Sequence, residues 1–201
     1  MKRTVLHVGA GHPDSGAVLP VGFRAAEWTE VRLDIDPANN PHIIGSMLDM
    51  SAVLDESMDA VYSAHNIEHV YPHEVPVVLK EFLRVLKPGG FLLITCPDLQ
   101  SVAKLIAEDN LTGVAYQSSA GPITPLDILY GYRPALAQGN YFMAHKCGFT
   151  LKVLLATLKA NGFSAFAGKR RPVAFDLWAI AGKESMSDAA LENLAKTYLP
   201  V

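Results

Sequence analysis

The sequence is poor in cysteine and has no long basic or apolar run. Its 201 residues include two cysteines, Cys96 and Cys147, so a disulfide framework or a Cys-x-x-Cys metal pair is excluded and a reducing, cytoplasmic location is expected. The longest basic run is residues 169–171 and the formal net charge is −3, which gives no electrostatic support for a nucleic-acid partner. No apolar run approaches the roughly 20 residues that span a bilayer, and the first residues lack a signal-peptide core. We therefore expect neither a membrane span nor a leader.

The composition favours one domain with a buried sheet. Half of the residues are hydrophobic and 18% are charged, which argues against disorder. A chain of this length can bury roughly 70% of its unfolded surface. We therefore predict a single domain over residues 1–201.

Residues 59–98 predict a strand, a loop, a helix, a tight turn and a second strand. The helix is indicated by apolar residues at helical spacing, namely Val75, Val78, Leu79, Phe82, Leu83 and Leu86. Pro88 cannot continue the helix, and Gly89 and Gly90 supply a turn into the apolar strand 91–96. A strand, helix and strand joined in this way form a right-handed parallel unit.

The same stretch resembles a known enzyme family. The run DAVYSAHNIEH, followed by EFLRVLKPGGFLLITCPD, resembles the second half of class I S-adenosylmethionine-dependent methyltransferases, of the methyltransferase type 11 kind. The resemblance implies an α/β fold with a mostly parallel, seven-stranded, Rossmann-like sheet, helices on both faces and an antiparallel last strand. It implies S-adenosylmethionine as cofactor and direct methyl transfer, directed at oxygen, to a small-molecule or glycan acceptor.

The chain begins with a predicted strand over residues 4–8 and a loop, Gly9-Ala10-Gly11. The resemblance implies that this loop lies against the cofactor, where glycine lets the backbone approach closely. His7 stands where the family usually has an acid, and it is equally well explained as a satisfied buried histidine. The residues that follow form a poor helix, so the first covering helix should be short, displaced or absent, because of Pro13, Gly16, Pro20 and Gly22.

Acidic residues follow the second and third predicted strands. Asp34 ends the second strand, where a carboxylate can accept hydrogen bonds from both ribose hydroxyls; Asp36 is the fallback, and a solvated acidic turn is the alternative. After a short third strand at 42–45, the resemblance implies that Asp49 and Met50 hold the adenine. Asp49 could also cap a short helix starting at Ser51.

The segment after the fourth strand allows two interpretations. His65, Glu68 and His69 have the HxxEH order of inverted zinc proteases. Pro72 interrupts the helix that would align a further histidine, and we predict no metal. The resemblance instead implies that Ala64 and His65 line the methionine end of the cofactor.

Residues 110–147, which we call the lid segment, are rich in glycine, proline and aromatic residues. A long irregular stretch in a compact domain is usually functional, and we predict that it covers the substrate. Tyr132, Tyr141 and Asp98 are candidate substrate contacts. His145 is the first candidate general base, with His65, His69 and Asp98 as alternatives. The lid segment could instead form an oligomer contact, as in a homodimer, or pack as ordinary core.

The remaining chain predicts a helix at 99–109, a helix at 151–160 capped by Thr150, a final hairpin with strands at 163–168 and 173–181, and a terminal helix from Ser187. Two other functions stay open. An NAD-dependent oxidoreductase would share Gly9, Gly11 and a later acid, but the third glycine is missing. A non-catalytic binding module of the same fold is the other alternative.

Overall fold

The computed structural model describes residues 2–15 and 19–200. Seven strands form one sheet, namely β1 (Arg3–Val8), β2 (Trp28–Asp34), β3 (Ile43–Ile44), β4 (Met58–Ala64), β5 (Leu86–Pro97), β8 (Ala165–Arg171) and β9 (Asp176–Gly182). Their order across the sheet is β3-β2-β1-β4-β5-β9-β8. Strands β1 to β5 pair in parallel, whereas β9 runs antiparallel to both β5 and β8. The predicted Rossmann-like sheet with an antiparallel last strand is confirmed.

Helices cover both faces of this sheet or pack at its edge. They are α1 (Val75–Val85), α2 (Leu99–Ala107), α3 (Pro125–Tyr130), α4 (Arg133–Ala137), α5 (Leu151–Ala160) and α6 (Asp188–Tyr198). Alternate residues of β4 and β5 enter different apolar clusters: Val61 and Leu92 pack on the α1 and α5 side, and Ala60 and Leu93 on the α6 side. This period of two is the expected signature of a sheet buried on both faces.

The predicted central unit β4-α1-β5 is present. Helix α1 buries five apolar residues, Val75, Val78, Leu79, Phe82 and Val85. The chain leaves the helix at Leu86, and Gly89 has a positive φ of 73°. Residues 88–90, predicted as a turn, lie within the long strand β5, beside a register shift between Met58 and Ala60 of β4.

A full covering helix is absent between β1 and β2 in the residues described there, which contain only the 3-10 turns Pro13–Ser15 and Val21–Phe23. Gly16, one of the predicted helix breakers, lies outside the described residues. Helix α6 covers this face instead: Tyr198 packs on Phe23 and Phe91 with ring centroids 4.5 and 5.0 Å apart. The prediction of a short or missing first helix is confirmed by this arrangement.

Most other predicted elements are confirmed, with shifted ends. Helix α5 has the predicted bounds, and the Thr150 side chain accepts a hydrogen bond from the Val153 backbone N–H as its cap. The final hairpin is present as β8 and β9. A helix from Ser51 does not form, because residues 51–56 make turns. No helix in residues 2–15 and 19–200 is long and apolar enough to cross a membrane.

The lid segment contains regular structure that its composition did not predict. A two-stranded hairpin, β6 (Tyr116–Ser118) and β7 (Gly121–Ile123), precedes α3 and α4. Ile123 and Ile128 pack on Val102 of α2, forming a small apolar cluster of their own. The lid segment is therefore anchored to the helix that follows β5.

Candidate functional site

A cavity of about 380 Å³ opens at the carboxyl ends of the parallel strands. It is lined by residues that end or follow four of them, including Val8, Asp34, Gly45 and His65. Open α/β sheets bind their ligands at this edge, where the strand order reverses, which here is between β1 and β4. The volume falls in the range of about 300–1,000 Å³ that small-molecule sites occupy.

The conformation of the glycine loop depends on a side chain that follows β4. Gly9 and Gly11 both line the cavity and both have a φ of 62°. A Cβ on Gly9 would lie 1.9 Å from Oδ1 of Asn66. The Asn66 side chain is fixed there because its Nδ2 donates to the carbonyl oxygens of Val8 at 2.5 Å and Ala64 at 3.2 Å. Sequence reasoning missed Asn66, which also lines the cavity.

Two charged side chains of β2 hold the same loop. Oδ2 of Asp34 accepts a hydrogen bond from the Gly11 N–H at 2.8 Å, and Oδ1 accepts from the Asp36 N–H at 2.9 Å. Arg32 donates from Nη2 to the carbonyl oxygens of Ala10 at 3.2 Å and Gly11 at 2.6 Å. Asp34 is 6% exposed and faces the cavity. A carboxylate has about four acceptor positions, so Asp34 keeps acceptor capacity for a ligand.

His7 is a buried, paired side chain outside this cavity. Its Nδ1 lies 2.7 Å from Oε1 of Glu30, and its ring packs on Tyr62. The hydrogen bond with His7 lowers the pKa of Glu30 below its usual value, against the opposing effect of burial. Of the two explanations for His7, the satisfied buried histidine is the one that fits.

The residues after β3 that line the cavity lie two positions earlier in the chain than the predicted pair. Oγ of Ser46 accepts from the Leu48 N–H at 3.1 Å, and the resulting turn brings Met47 and Leu48 into the cavity wall. Asp49 instead accepts from the Ser51 N–H, and Met50 is buried with its N–H bonded to Glu81. Neither Asp49 nor Met50 lines the cavity, so Met47 and Leu48 replace them as candidate adenine contacts.

Two histidines of the segment after β4 line the cavity wall, His65 and His69. Nδ1 of His65 lies 3.4 Å from Oε1 of Glu68, whose side chain is 1% exposed. Although burial lowers the pKa of His65, the Glu68 carboxylate raises it by more. Burial raises the pKa of Glu68, and the nearby histidines lower it by more. Ala64, predicted to line the cavity, is a partly buried residue that packs in the core.

His145 lies behind this wall. Its Nδ1 lies 2.7 Å from the carbonyl oxygen of Ile128, and its ring is 5.0 Å from that of His69. Burial lowers the pKa of His145 below its usual value. The backbone next to it is tied to the β4 side, because the Lys146 N–H donates to the Glu68 carbonyl oxygen at 2.7 Å. The end of the lid segment is thereby joined to the segment after β4.

The lid segment reaches the cavity through other residues than the two predicted tyrosines. Asn140, Phe142, Met143 and Lys146 line it. The Tyr132 hydroxyl donates to the Ala120 carbonyl oxygen at 2.7 Å, within the lid segment itself. Tyr141 is 74% exposed and does not line the cavity. Phe142, which no periodic pattern marks, takes the place that the sequence assigned to Tyr141.

Asp98, the third predicted substrate contact, is fully buried. Its Oδ2 accepts from Nε and Nη2 of Arg170 at 2.9 and 2.7 Å and from Oγ of Ser101 at 2.6 Å. Its Oδ1 accepts from the Gln100 N–H and caps α2. The structure therefore gives Asp98 a role in holding β5, β8 and α2 together, in place of a substrate contact.

Comparisons with known proteins agree with this fold. A protein-family model described as a methyltransferase domain matches residues 18–94. The chain is 31% identical over 101 residues to a fatty-acid O-methyltransferase of Mycolicibacterium smegmatis, a match that covers 46% of this chain and 36% of that protein. This chain thus spans about a third of that relative.

Solved structures with low sequence identity share the fold. An S-adenosylmethionine-dependent methyltransferase of Archaeoglobus fulgidus is similar with a TM-score of 0.57 and 14% identity, over 90% of this chain and 86% of that one. The 1,6-didemethyltoxoflavin-N1-methyltransferase of Burkholderia thailandensis, with bound 1,6-didemethyltoxoflavin and S-adenosylhomocysteine, is similar with a TM-score of 0.56 and 16% identity, over 92% and 72%. The family model over residues 18–94 and the seven-stranded fold thus make this chain similar to class I S-adenosylmethionine-dependent methyltransferases.

Proposed function

We propose that this protein transfers a methyl group from S-adenosylmethionine to an oxygen atom of a small-molecule or glycan acceptor. The observation that carries the proposal is the cavity at the strand-order reversal, with the buried Asp34 carboxylate in its wall. S-adenosylmethionine supplies an activated methyl group on sulfur. The chain then has to bind this cofactor, orient the acceptor and exclude water.

The residues present fit this cofactor. Asp34 keeps free acceptor positions for a vicinal diol, with Asp36 beside it in the wall. Ile35, Met47 and Leu48 are apolar wall residues suited to the faces of a base ring. Gly9, Gly11 and His65 line the part of the wall after β1 and β4, where we place the methionine end. Ala10, between these two glycines, is buried and does not line the cavity.

The acceptor would enter from the side of the lid segment. Phe142 and Met143 give that part of the wall an apolar surface, and Asn140 and Lys146 add polar groups. Holding two reactants in line can contribute roughly 7–11 kcal/mol to catalysis. This alignment does not require a fixed general base. The O-methyltransferase activity of the fatty-acid relative supports oxygen as the acceptor atom.

Binding of the cofactor can be tested by calorimetric titration with S-adenosylmethionine, S-adenosylhomocysteine and NAD. We expect both sulfur compounds to bind and NAD to fail. Asp34→Ala should weaken binding by roughly 10–100-fold, since hydrogen bonds to a charged group contribute about 1.5–3 kcal/mol. Asp188→Ala removes an exposed carboxylate of α6 and serves as the matched control, with affinity unchanged.

Turnover is measured separately, as S-adenosylhomocysteine released with a panel of fatty acids, phenols and sugars. Release with at least one hydroxyl or carboxyl acceptor is expected. Binding of NAD in place of the sulfur compounds would favour the oxidoreductase. Tight binding of S-adenosylmethionine without turnover on any acceptor would favour the non-catalytic module.

A further inference from the structure

Three side chains with metal-binding atoms converge beside the cavity. Glu68, His69 and His145 each offer one such atom, and these atoms lie within 4.8 Å of one another. Glu68 and His69 belong to the 3-10 turn Ile67–His69 after β4, whereas His145 comes from the end of the lid segment. The cluster therefore joins two parts of the chain that the sequence places far apart.

Both imidazole rings are held by backbone carbonyl groups. Nδ1 of His69 lies 3.1 Å from the Ala144 carbonyl oxygen, and Nδ1 of His145 lies 2.7 Å from that of Ile128. A carbonyl oxygen can only accept, so Nδ1 carries the proton in each ring. In the neutral ring the free lone pair is then on Nε2. This arrangement, with one ring nitrogen donating to a carbonyl, is the usual second shell of a metal-bound histidine.

The Glu68 carboxylate is buried without a hydrogen bond. Its side chain is 1% exposed, and neither carboxylate oxygen has a hydrogen-bond partner among the described residues. The His65 ring at 3.4 Å is within ion-pair distance but outside hydrogen-bond geometry. The backbone of Glu68 is fixed, because its carbonyl oxygen accepts from the N–H groups of Lys146 and Cys147. Glu68 thus has an ion-pair partner in His65, but its buried oxygens accept no hydrogen bond. Buried charges are usually hydrogen-bonded or coordinate a metal, so these oxygens are available as metal ligands.

We propose that Glu68, His69 and His145 bind one divalent transition-metal ion at the edge of the cavity. Two imidazoles and one carboxylate are the ligand set of catalytic zinc sites that keep an open position, and of iron(II) sites with open positions. Ligand atoms lie about 2.0–2.2 Å from zinc, so binding should draw the three atoms closer together.

This ligand set differs from the one that the sequence suggested. The HxxEH order uses His65 and His69, and we predicted no metal because Pro72 interrupts the segment. In the structure His65 faces Glu68 from the cavity side and does not join the cluster of three. The third ligand comes from His145, 76 positions after His69, which no local spacing rule could have identified.

The place of the cluster suggests a role that rests on the proposed function. His69 also lines the cavity, so an open coordination position would be within reach of an acceptor. A bound ion lowers the pKa of a coordinated hydroxyl, and the proton released passes to solvent. In this role His69 and His145 act as ligands, and they are no longer available as general bases.

The test is a titration of chelator-dialysed protein with Zn²⁺, by calorimetry, and with Co²⁺, by its visible absorption. We expect one ion per chain. Glu68→Gln, His69→Ala and His145→Ala should each lower affinity by more than about 100-fold, since even second-shell changes cost 10–100-fold. His73→Ala is the matched control, because His73 is an exposed histidine of the same segment. His65→Ala tests the alternative HxxEH set. His73→Ala and His65→Ala should both bind the metal ion with the affinity of the parent.

Equal affinity of the parent and His145→Ala would overturn the proposal, as would loss of binding in His73→Ala. Thermal unfolding of each variant checks that it is folded, and Glu68→Gln should be at least as stable as the metal-free parent because it removes a buried charge. Asp34→Ala separates the two proposals: it should bind the metal as the parent does and bind S-adenosylhomocysteine more weakly. Metal binding without cofactor binding would leave this site standing and remove the proposed function.

Discussion

Asn66 fills the space that a side chain at Gly9 would need. The glycine there is usually explained by the ligand, yet the contact that a Cβ would violate is with the chain's own amide. Because this amide also bonds to the carbonyl oxygens of Val8 and Ala64, it ties the end of β1 to the end of β4. Gly9 is therefore required by the contacts of the loop with its own chain.

Gly9→Ala should destabilise the protein and weaken binding of S-adenosylhomocysteine. Gly89→Ala is the matched control, since Gly89 also has a positive φ but nothing lies within 4 Å of a Cβ there. The positive φ alone costs about 1–2 kcal/mol, which both variants share. The clash with Asn66 should add about 1–3 kcal/mol in Gly9→Ala only. Urea unfolding and calorimetry measure both effects; equal loss of stability in the two variants, with unchanged affinity, would contradict the role of Asn66.

Individual site residues could be predicted from the sequence when their role follows from their position next to a strand. Gly9 and Gly11 come shortly after β1 and Asp34 ends β2, so strand prediction places them at the cavity edge. Asp98 occupies a similar position after β5, but Arg170, 72 positions later, neutralises it in the core. A partner so distant in sequence leaves no local pattern, and the same holds for Arg32 with the glycine loop.

Helix α3 shows how a short element of the lid segment is stabilised. Thr124 and Asp127 form a capping box, in which each side chain accepts from the other's backbone N–H. Nε of Arg133 adds a hydrogen bond to Oδ1 of Asp127 at 2.8 Å. Burial raises the pKa of Asp127, but the hydrogen bonds from Arg133 and Thr124 outweigh it and hold the pKa well below its usual range. A helix of six residues would not be stable without such contacts.

Asp127→Asn should remove a pH-dependent contribution to the stability of the lid segment. The folded-state pKa of Asp127 is lowered, so its contribution to stability is complete above the unfolded pKa of about 4. It is lost as the pH falls through the folded-state value. We therefore expect the variant to expose the lid segment to proteolysis faster than the parent at pH 7, with the difference shrinking below about pH 4. Asp109→Asn, at an exposed carboxylate, is the control; a difference that does not change with pH would contradict the assignment.

Elements with a strong apolar periodicity were predictable from the sequence. Short elements that form only through contacts with distant residues were not. Helices α1 and α5 follow from apolar spacing, and the loss of the first covering helix follows from its prolines and glycines. The hairpin β6-β7 and helix α3 were not predicted, because each is short and depends on packing against Val102 of α2. The helix predicted from Ser51 fails because Asp49 and Ser51 make a turn instead.

The cavity lies between two walls that are formed by different kinds of structure. One wall is made by strand ends and their loops, and the other by Asn140, Phe142, Met143 and Lys146 of the lid segment. Backbone hydrogen bonds from Lys146 and Cys147 to the Glu68 carbonyl oxygen connect the two walls. A ligand that fills the cavity should therefore stabilise both walls together.

Hydrogen exchange with and without S-adenosylhomocysteine measures this coupling. We expect slower exchange at residues 9–11, 34–36 and 140–146, by up to about 100-fold when the ligand is at 100 times its Kd. The terminal helix α6, on the far side of the sheet, should change least and serves as the internal control. Protection confined to residues 9–11 and 34–36 would mean that the lid segment is not part of the binding site.

The contact between Phe23 and Tyr198 has a consequence for how the protein is made. Both belong to the aromatic cluster that covers β1 and β2, yet they lie near opposite ends of the chain. During synthesis from the amino terminus, this face of the early strands stays uncovered until α6 leaves the ribosome. Contacts so distant in sequence slow folding, and exposed apolar strands favour aggregation meanwhile. The nascent chain therefore has an extended interval in which a chaperone that binds apolar segments would raise its yield.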